Sequence, residues 1–276
     1  MTLGPAEQPA AGRRICLRLA YEGTRYSGWQ VQPGRPTVQG VVTEAIRLVS
    51  GESVRVQGAS RTDAGVHALA QMAAFSSTSG LGAADWARAI NAHLPEDVVV
   101  LAACEVDPAF EPVVAAVRKR YRYRIHDAAC RPLFDRRFVW RWRGRLDEDL
   151  MRAAAPALVG EHDFTSFEAT PSTRLSKVRT IHAVHVSRQS GPDDAAGAEV
   201  RIDVEGNGFL HNMVRIIAGS LVMVGAGRRP VEWLAAALAA RSRPAAGPTA
   251  PPEGLLLAAT RLEPNPWPES PSVSDP

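Results

Sequence analysis

At 276 residues, with 45% hydrophobic and 22% charged side chains, the chain has the make-up of a soluble globular protein with one large core or two modest ones. Its three cysteines, Cys16, Cys104 and Cys130, are widely spaced and form no CxxC pair, which excludes a disulfide framework or zinc knuckle and points to reduced thiols. Residues 1–12 lack a signal-type apolar core, and the longest apolar run, around Ile216 to Val224, is interrupted by Gly219 and Ser220, so a cytoplasmic protein is expected. Net charge is +3, but between Arg118 and Arg145 eleven Arg or Lys face only Asp127 and Asp135. That basic block is interleaved with Tyr121, Tyr123, Phe134, Phe138, Trp140 and Trp142, a composition suited to phosphate contact and base stacking.

Residues 1–12 read as a disordered tail. Arg14 to Tyr21 alternates as a first strand, followed by a glycine-punctuated loop from Glu22 to Gln30. Thr37 caps a helix to Val49 whose apolar stripe includes Val38, Val42, Ala45 and Ile46, and Gly51 ends it. Strands at Ser53 to Gln57 and Leu69 to Phe75 flank a short loop, a helix spans Asp85 to Leu94, and Val98 to Val106 is the next strand. This β-α-β-β-α-β order matches the ferredoxin-like split βαβ motif. Asp107, Pro108 and Pro112 mark a junction, dividing the chain into halves at 13–108 and 109–263.

The second half opens with a strand from Val114 to Ile125. Period two puts Tyr121, Tyr123 and Ile125 on one face and Arg118, Arg120, Arg122 and Arg124 on the other. Further strands are expected at Arg137 to Arg143, Lys177 to Arg188, Ala198 to Glu205 and Leu255 to Leu262, and helices at Asp147 to Leu158, Gly208 to Val224 and Val231 to Ala240. Residues 264–276 read as a second disordered tail. The fold class is α+β: two ferredoxin-like (RRM-like) halves forming a mixed, mainly antiparallel sheet, helices packed on it, and a cleft between the halves.

Two features stand out chemically. Gly58-Ala59-Ser60-Arg61-Thr62-Asp63-Ala64-Gly65-Val66-His67-Ala68 puts a carboxylate, an arginine, a histidine and two glycines into one strand-to-strand connection. Asp-Ala-Gly is also ordinary turn chemistry, so this loop alone reads equally as a turn. The helix after Asn207 is apolar almost all round yet carries Arg215, whose guanidinium needs an acceptor from outside its own helix. Asp63 is one candidate, Asp203 and Glu205 the others.

Taken together, several blocks resemble the tRNA pseudouridine synthase A family: Tyr21-Glu22-Gly23 with Gly28-Trp29-Gln30, Thr37 to Gly40, Gly58 to Ala68, Arg120 to Tyr123, Gly160 to Phe167, Val178 to Ile181, and Gly206 to Arg215. They run in order from about Ile15 to Leu262. The resemblance implies an isomerase that converts uridine to pseudouridine without cofactor or metal, in the anticodon stem-loop of tRNA (positions 38, 39 and 40), as a homodimer with one tRNA spanning both protomers. It makes Asp63 the catalytic nucleophile, Arg215 its pairing cation, and Tyr121 the residue that stacks on the target base and helps remove its C5 proton. A cation beside Asp63 would lower its pKa and orient it. Arg61 corresponds to a residue that enters the RNA as the nucleotide is extruded, and His67, Lys119, Arg120 and Arg122 are expected as further substrate contacts. A carboxylate suits the chemistry because it can capture positive charge at C1′ or take a sugar proton.

The sequence departs from that pattern at Glu111-Pro112-Val113, where a basic residue is usual, and at Leu256, where an aromatic is common. Two other readings stay open: a non-catalytic RNA-binding module built on two RRM-like sheets, and a synthase of this fold acting on a different RNA.

Overall fold

The computed structural model describes residues 12–169, 176–189 and 199–267. The two expected tails therefore lie almost wholly outside the described residues, as does most of the polar stretch between the strands near residues 189 and 199.

Among the described residues, ten strands form a single mixed sheet: β1 (Arg13–Tyr21), β2 (Gln57–Gly58), β3 (His67–Ser77), β4 (Val98–Val106), β5 (Ala116–His126), β6 (Trp140–Arg141), β7 (Gly160–Asp163), β8 (Val178–Gln189), β9 (Glu199–Gly206) and β10 (Leu255–Leu262). The main order is β4-β1-β3-β10-β5-β9-β8-β7, with β2 on β3 and β6 on β5. The last strand is the seam. β10 runs parallel to β3, with Leu256 opposite His67, and antiparallel to β5, with Leu257 opposite Tyr121. Strands from both halves thus share one hydrogen-bonded surface.

The helices are α1 (Val38–Ser50), α2 (Ala83–Asn91), α3 (Pro112–Ala115), α4 (Glu148–Ala154), α5 (Met213–Gly225) and α6 (Trp233–Ala239). Thr37 caps α1 by accepting from the Gly40 N–H, and Gly51 closes it in the left-handed region at φ 74°. Period-two alternation sends Ile15, Leu17, Leu19, Tyr121, Tyr123 and Ile125 into one continuous core with Val42, Ile46, Ile216, Ile217 and Leu221. On the opposite face Cys16, Met72, Ala74, Phe110 and Leu262 make a second, smaller cluster.

The structure departs from the sequence expectations at element ends. The strand expected from Val114 starts at Ala116, because Pro112, with φ fixed for a first helical turn, opens α3 there. Of Ser53 to Gln57 only Gln57 joins a strand, and of Arg137 to Arg143 only Trp140 and Arg141, after a turn in which the Phe138 N–H donates to Asp135 O. The helix expected from Gly208 begins at Met213, since Asn212 has φ 59°, a conformation incompatible with a continuing helix. No helix among the described residues is long and apolar enough to cross a membrane.

Candidate active site

The loop between β2 and β3 is held from beneath by the segment after β1. The Trp29 N–H donates to Thr62 O at 3.1 Å, the Gly65 N–H to Tyr26 O at 3.2 Å, and the Tyr21 hydroxyl pairs with Thr62 Oγ1 at 2.8 Å. Gln71, fully buried, accepts from the Ser60 N–H and donates to Ser60 O. Two glycines permit the fit. A Cβ on Gly58 would stand 2.4 Å from the Trp29 indole, and one on Gly28 would meet Thr62 O at 2.5 Å on a backbone at φ 93°.

Asp63 projects from this clamped loop into a cleft of about 850 Å³, lined also by Tyr121, Arg61, Lys119, Phe209, His211 and Leu255 among others. Among the described residues no hydrogen bond reaches its carboxylate, whose side chain is 27% exposed. Two cations or potential cations flank it: His211 Nε2 is 3.7 Å from Oδ1, and Arg215 Nη1 is 4.0 Å from Oδ2. Burial raises the Asp63 pKa, and His211 and then Arg215 pull it back without cancelling the rise. The expectation of a lowered pKa is therefore corrected. Arg215 sits at the edge of ion-pair range, and desolvation outweighs it.

Arg215 is anchored by neutral acceptors. Its Nε donates to Ala250 O at 2.7 Å and its Nη1 to Asn212 Oδ1 at 2.6 Å. Of the three acids expected as its partner, Asp63, from the other half of the chain, is the one within 4.0 Å, while Asp203 and Glu205 pair with arginines of β5. Asn212 and Ala250 were missed. A helical-spacing search for acids overlooks an amide three residues back, and a carbonyl across the fold leaves no signal in sequence.

Tyr121 is buried in β5, its ring edge-on to Phe209 with centroids 5.1 Å apart. Burial lifts its phenol pKa well above the ordinary value, and nearby Tyr21 and Asp63 act in the same direction. Arg61 is exposed at the cleft, and Lys119 Nζ donates to Ala59 O at 2.8 Å at its wall.

Three sequence candidates do not line the cleft. His67 is buried, with Nδ1 accepting from the Gly23 N–H at 3.0 Å and its ring against Phe138, and burial pushes its imidazole pKa down. Arg120 and Arg122 follow the strand alternation onto the face opposite Tyr121. There the β5 arginines meet carboxylates of β9: Arg118 with Glu205 at 2.7 Å, Arg122 with Asp203 at 2.9 Å, Arg124 with Glu199 at 2.7 Å. The basic strand is thus largely neutralised by its neighbour, which a charge count along the chain cannot register. Among the described residues no group of His, Cys, Asp and Glu is arranged to hold a metal ion.

A desolvated carboxylate beside a guanidinium and an aromatic wall, at the seam of a mixed sheet, suits an enzyme that acts on a nucleoside, and the comparisons with known proteins give the class: the pseudouridine synthases, enzymes that isomerise a nucleoside. The family model for tRNA pseudouridine synthase matches residues 19–113 and 154–261. The chain is 44% identical over 244 residues to "tRNA pseudouridine synthase A" of Myxococcus xanthus, covering 88% of this chain and 90% of that one. It is 45% identical to the Rhodopseudomonas palustris (strain ATCC BAA-98 / CGA009) protein of the same name, covering 88% and 96%, and 44% identical to the Neisseria meningitidis serogroup B protein, covering 90% and 91%. The chain belongs to the tRNA pseudouridine synthase family.

Proposed function

We propose that this protein isomerises uridine to pseudouridine in the anticodon stem-loop of tRNA, with Asp63 as the group that acts on the ribose. The observation that carries this reading is the Asp63 carboxylate in the cleft, without a hydrogen bond among the described residues and flanked by His211 at 3.7 Å and Arg215 at 4.0 Å. A carboxylate stripped of solvation has its electron pairs available for C1′, and the guanidinium keeps enough of it ionised to act. The C1′–N1 bond breaks, the uracil turns within the cleft, and C5 joins C1′. The base supplies both leaving group and nucleophile, so the protein's task is to hold the ribose, accept charge and confine the uracil.

Tyr121 and Phe209 offer the aromatic wall on which the uracil stacks. Arg61, exposed at the cleft, reaches into the RNA as the target nucleotide leaves its stack, a step costing a few kcal/mol. Lys119 contributes charge at the wall. The halves 13–108 and 109–263 act as two lobes of one site, and a homodimer binds the anticodon arm. No cofactor is required.

The test is tritium release from tRNA labelled at uridine C5. Asp63→Ala abolishes release while tRNA binding survives; undiminished turnover in that variant refutes the reading. Mapping pseudouridine in RNA from a deletion strain identifies the target positions, and losses outside the anticodon arm would assign a different RNA.

A further inference from the structure

Two hydrogen bonds in series orient a side chain that the mechanism above leaves unused. Arg215 Nη1 donates to Asn212 Oδ1 at 2.6 Å, which orients the Asn212 amide with its NH2 outward. That NH2 faces His211 Nε2 at 3.3 Å. An amide nitrogen only donates, so Nε2 must present its lone pair. The same Nε2 stands 3.7 Å from Asp63 Oδ1, in the cleft that holds Tyr121. His211 Nε2 therefore stands between the Asn212 amide and the Asp63 carboxylate, too far from the carboxylate for a hydrogen bond to it, on a side chain that is half-exposed.

We propose that His211 Nε2 is the base that removes the C5 proton of the rearranged uracil, an inference that rests on the function proposed above. Once C5 has bonded to C1′ it is tetrahedral, one bond from the atom Asp63 serves, and a base within about 4 Å of Asp63 is in reach of its hydrogen. The proton passes from C5 to Nε2. The C5–H electron pair becomes the C5=C6 bond, the C6=N1 π pair returns to N1, and N1 takes a proton from water. The imidazolium then lies beside the Asp63 carboxylate, which stabilises it until solvent removes the proton. Tyr121, the other side chain placed for this step, is held as a phenol by burial, which suits it to stacking rather than proton abstraction.

The experiment compares full-length wild type, His211→Gln, His211→Ala and Tyr121→Phe on tRNA transcripts with protium or deuterium at uridine C5, following pseudouridine formation in single turnover. Thermal melting and tRNA retention on filters monitor the fold. His211→Gln is expected to slow formation about 100-fold and to show a primary isotope effect of severalfold, because C5 proton loss has become limiting. Added imidazole should restore part of the rate in His211→Ala, and Tyr121→Phe should show no isotope effect. A His211→Gln enzyme that keeps its rate, or slows without an isotope effect, overturns the inference and leaves the proposed function standing. Wild type that forms no pseudouridine overturns both.

Discussion

Removing the Arg215 charge probes whether Asp63 acts as a carboxylate whose ionisation the site has to defend. At 4.0 Å and an effective dielectric of about 20, a full charge pair is worth about 4 kcal/mol. With 27% of the Asp63 side chain open to water, screening reduces this, and the Asp63 pKa is expected to rise on Arg215→Met. Burial already raises the Asp63 pKa, so losing Arg215 moves it further in the same direction. The active form is the carboxylate. Activity is present above the Asp63 pKa and lost as pH falls through it, so the acid limb of the rate profile shifts to higher pH. The assay is tritium release in single turnover across about pH 5 to 8. Arg215→Lys, which keeps a charge but not the fork, should leave the limb near the wild-type position. Arg215→Met also strips donors from Asn212 Oδ1 and Ala250 O, at about 1–3 kcal/mol each, and melting reports that loss separately. A folded Arg215→Met protein with the wild-type acid limb would refute the reasoning.

Other outcomes follow from the same geometry. Asp63→Asn should be inactive yet more stable than wild type at neutral pH, by about 1 kcal/mol, since a carboxyl whose pKa is raised by burial costs stability when ionised. The sign is fixed. The gain is present at pH above the folded Asp63 pKa and vanishes once pH falls below about 3.9, where both states carry the neutral acid; melting curves at neutral and acid pH that differ equally from wild type would contradict it. Gly58→Ala should destabilise by about 1–3 kcal/mol in denaturant melts and slow turnover, because its Cβ would stand 2.4 Å from the Trp29 indole and displace the Asp63 loop. Binding of tRNA should weaken steeply with salt, and Arg61→Gln should lower the slope of log K against log salt by about 1, whereas Arg122→Gln, paired with Asp203 on the far face, should leave it unchanged.

How far the sequence reached depends on the kind of interaction. Elements governed by short-range periodicity were legible: Val98–Val106 and Leu255–Leu262 fall where alternation puts them, and Thr37 and Gly51 bound α1 by local capping chemistry. Ends set by a single backbone angle were not, as with Asn212, whose positive φ shortens α5. Asp63, Tyr121 and Arg215 were legible through the order of their blocks, and alternation along β5 placed Tyr121 and Arg122 on opposite faces. The consequence was harder to see. β5 and β9 lie about eighty residues apart in sequence, so the neutralisation of Arg122 by Asp203 appears only once their register is known. His67 was misleading for a related reason. It neighbours the Asp63 loop in sequence, but its strand pairs with β10 and buries its ring.

The position of β10 bears on how the protein is made. Before residues 255–262 are available, β5 from Ala116 to Tyr123 and the start of β3 at His67 and Ala68 lack the partner that β10 gives them, leaving N–H and C=O groups that another strand can join. The last strand of the sheet in chain order is the one that joins them, and it brings the Asp63 and Tyr121 strands into a common frame as it does so. Synthesis stalled or proteolytically clipped before Leu255 yields two lobes with adhesive margins and no enzyme. The chain brings its two lobes into one sheet and covers two inner edges in the same event.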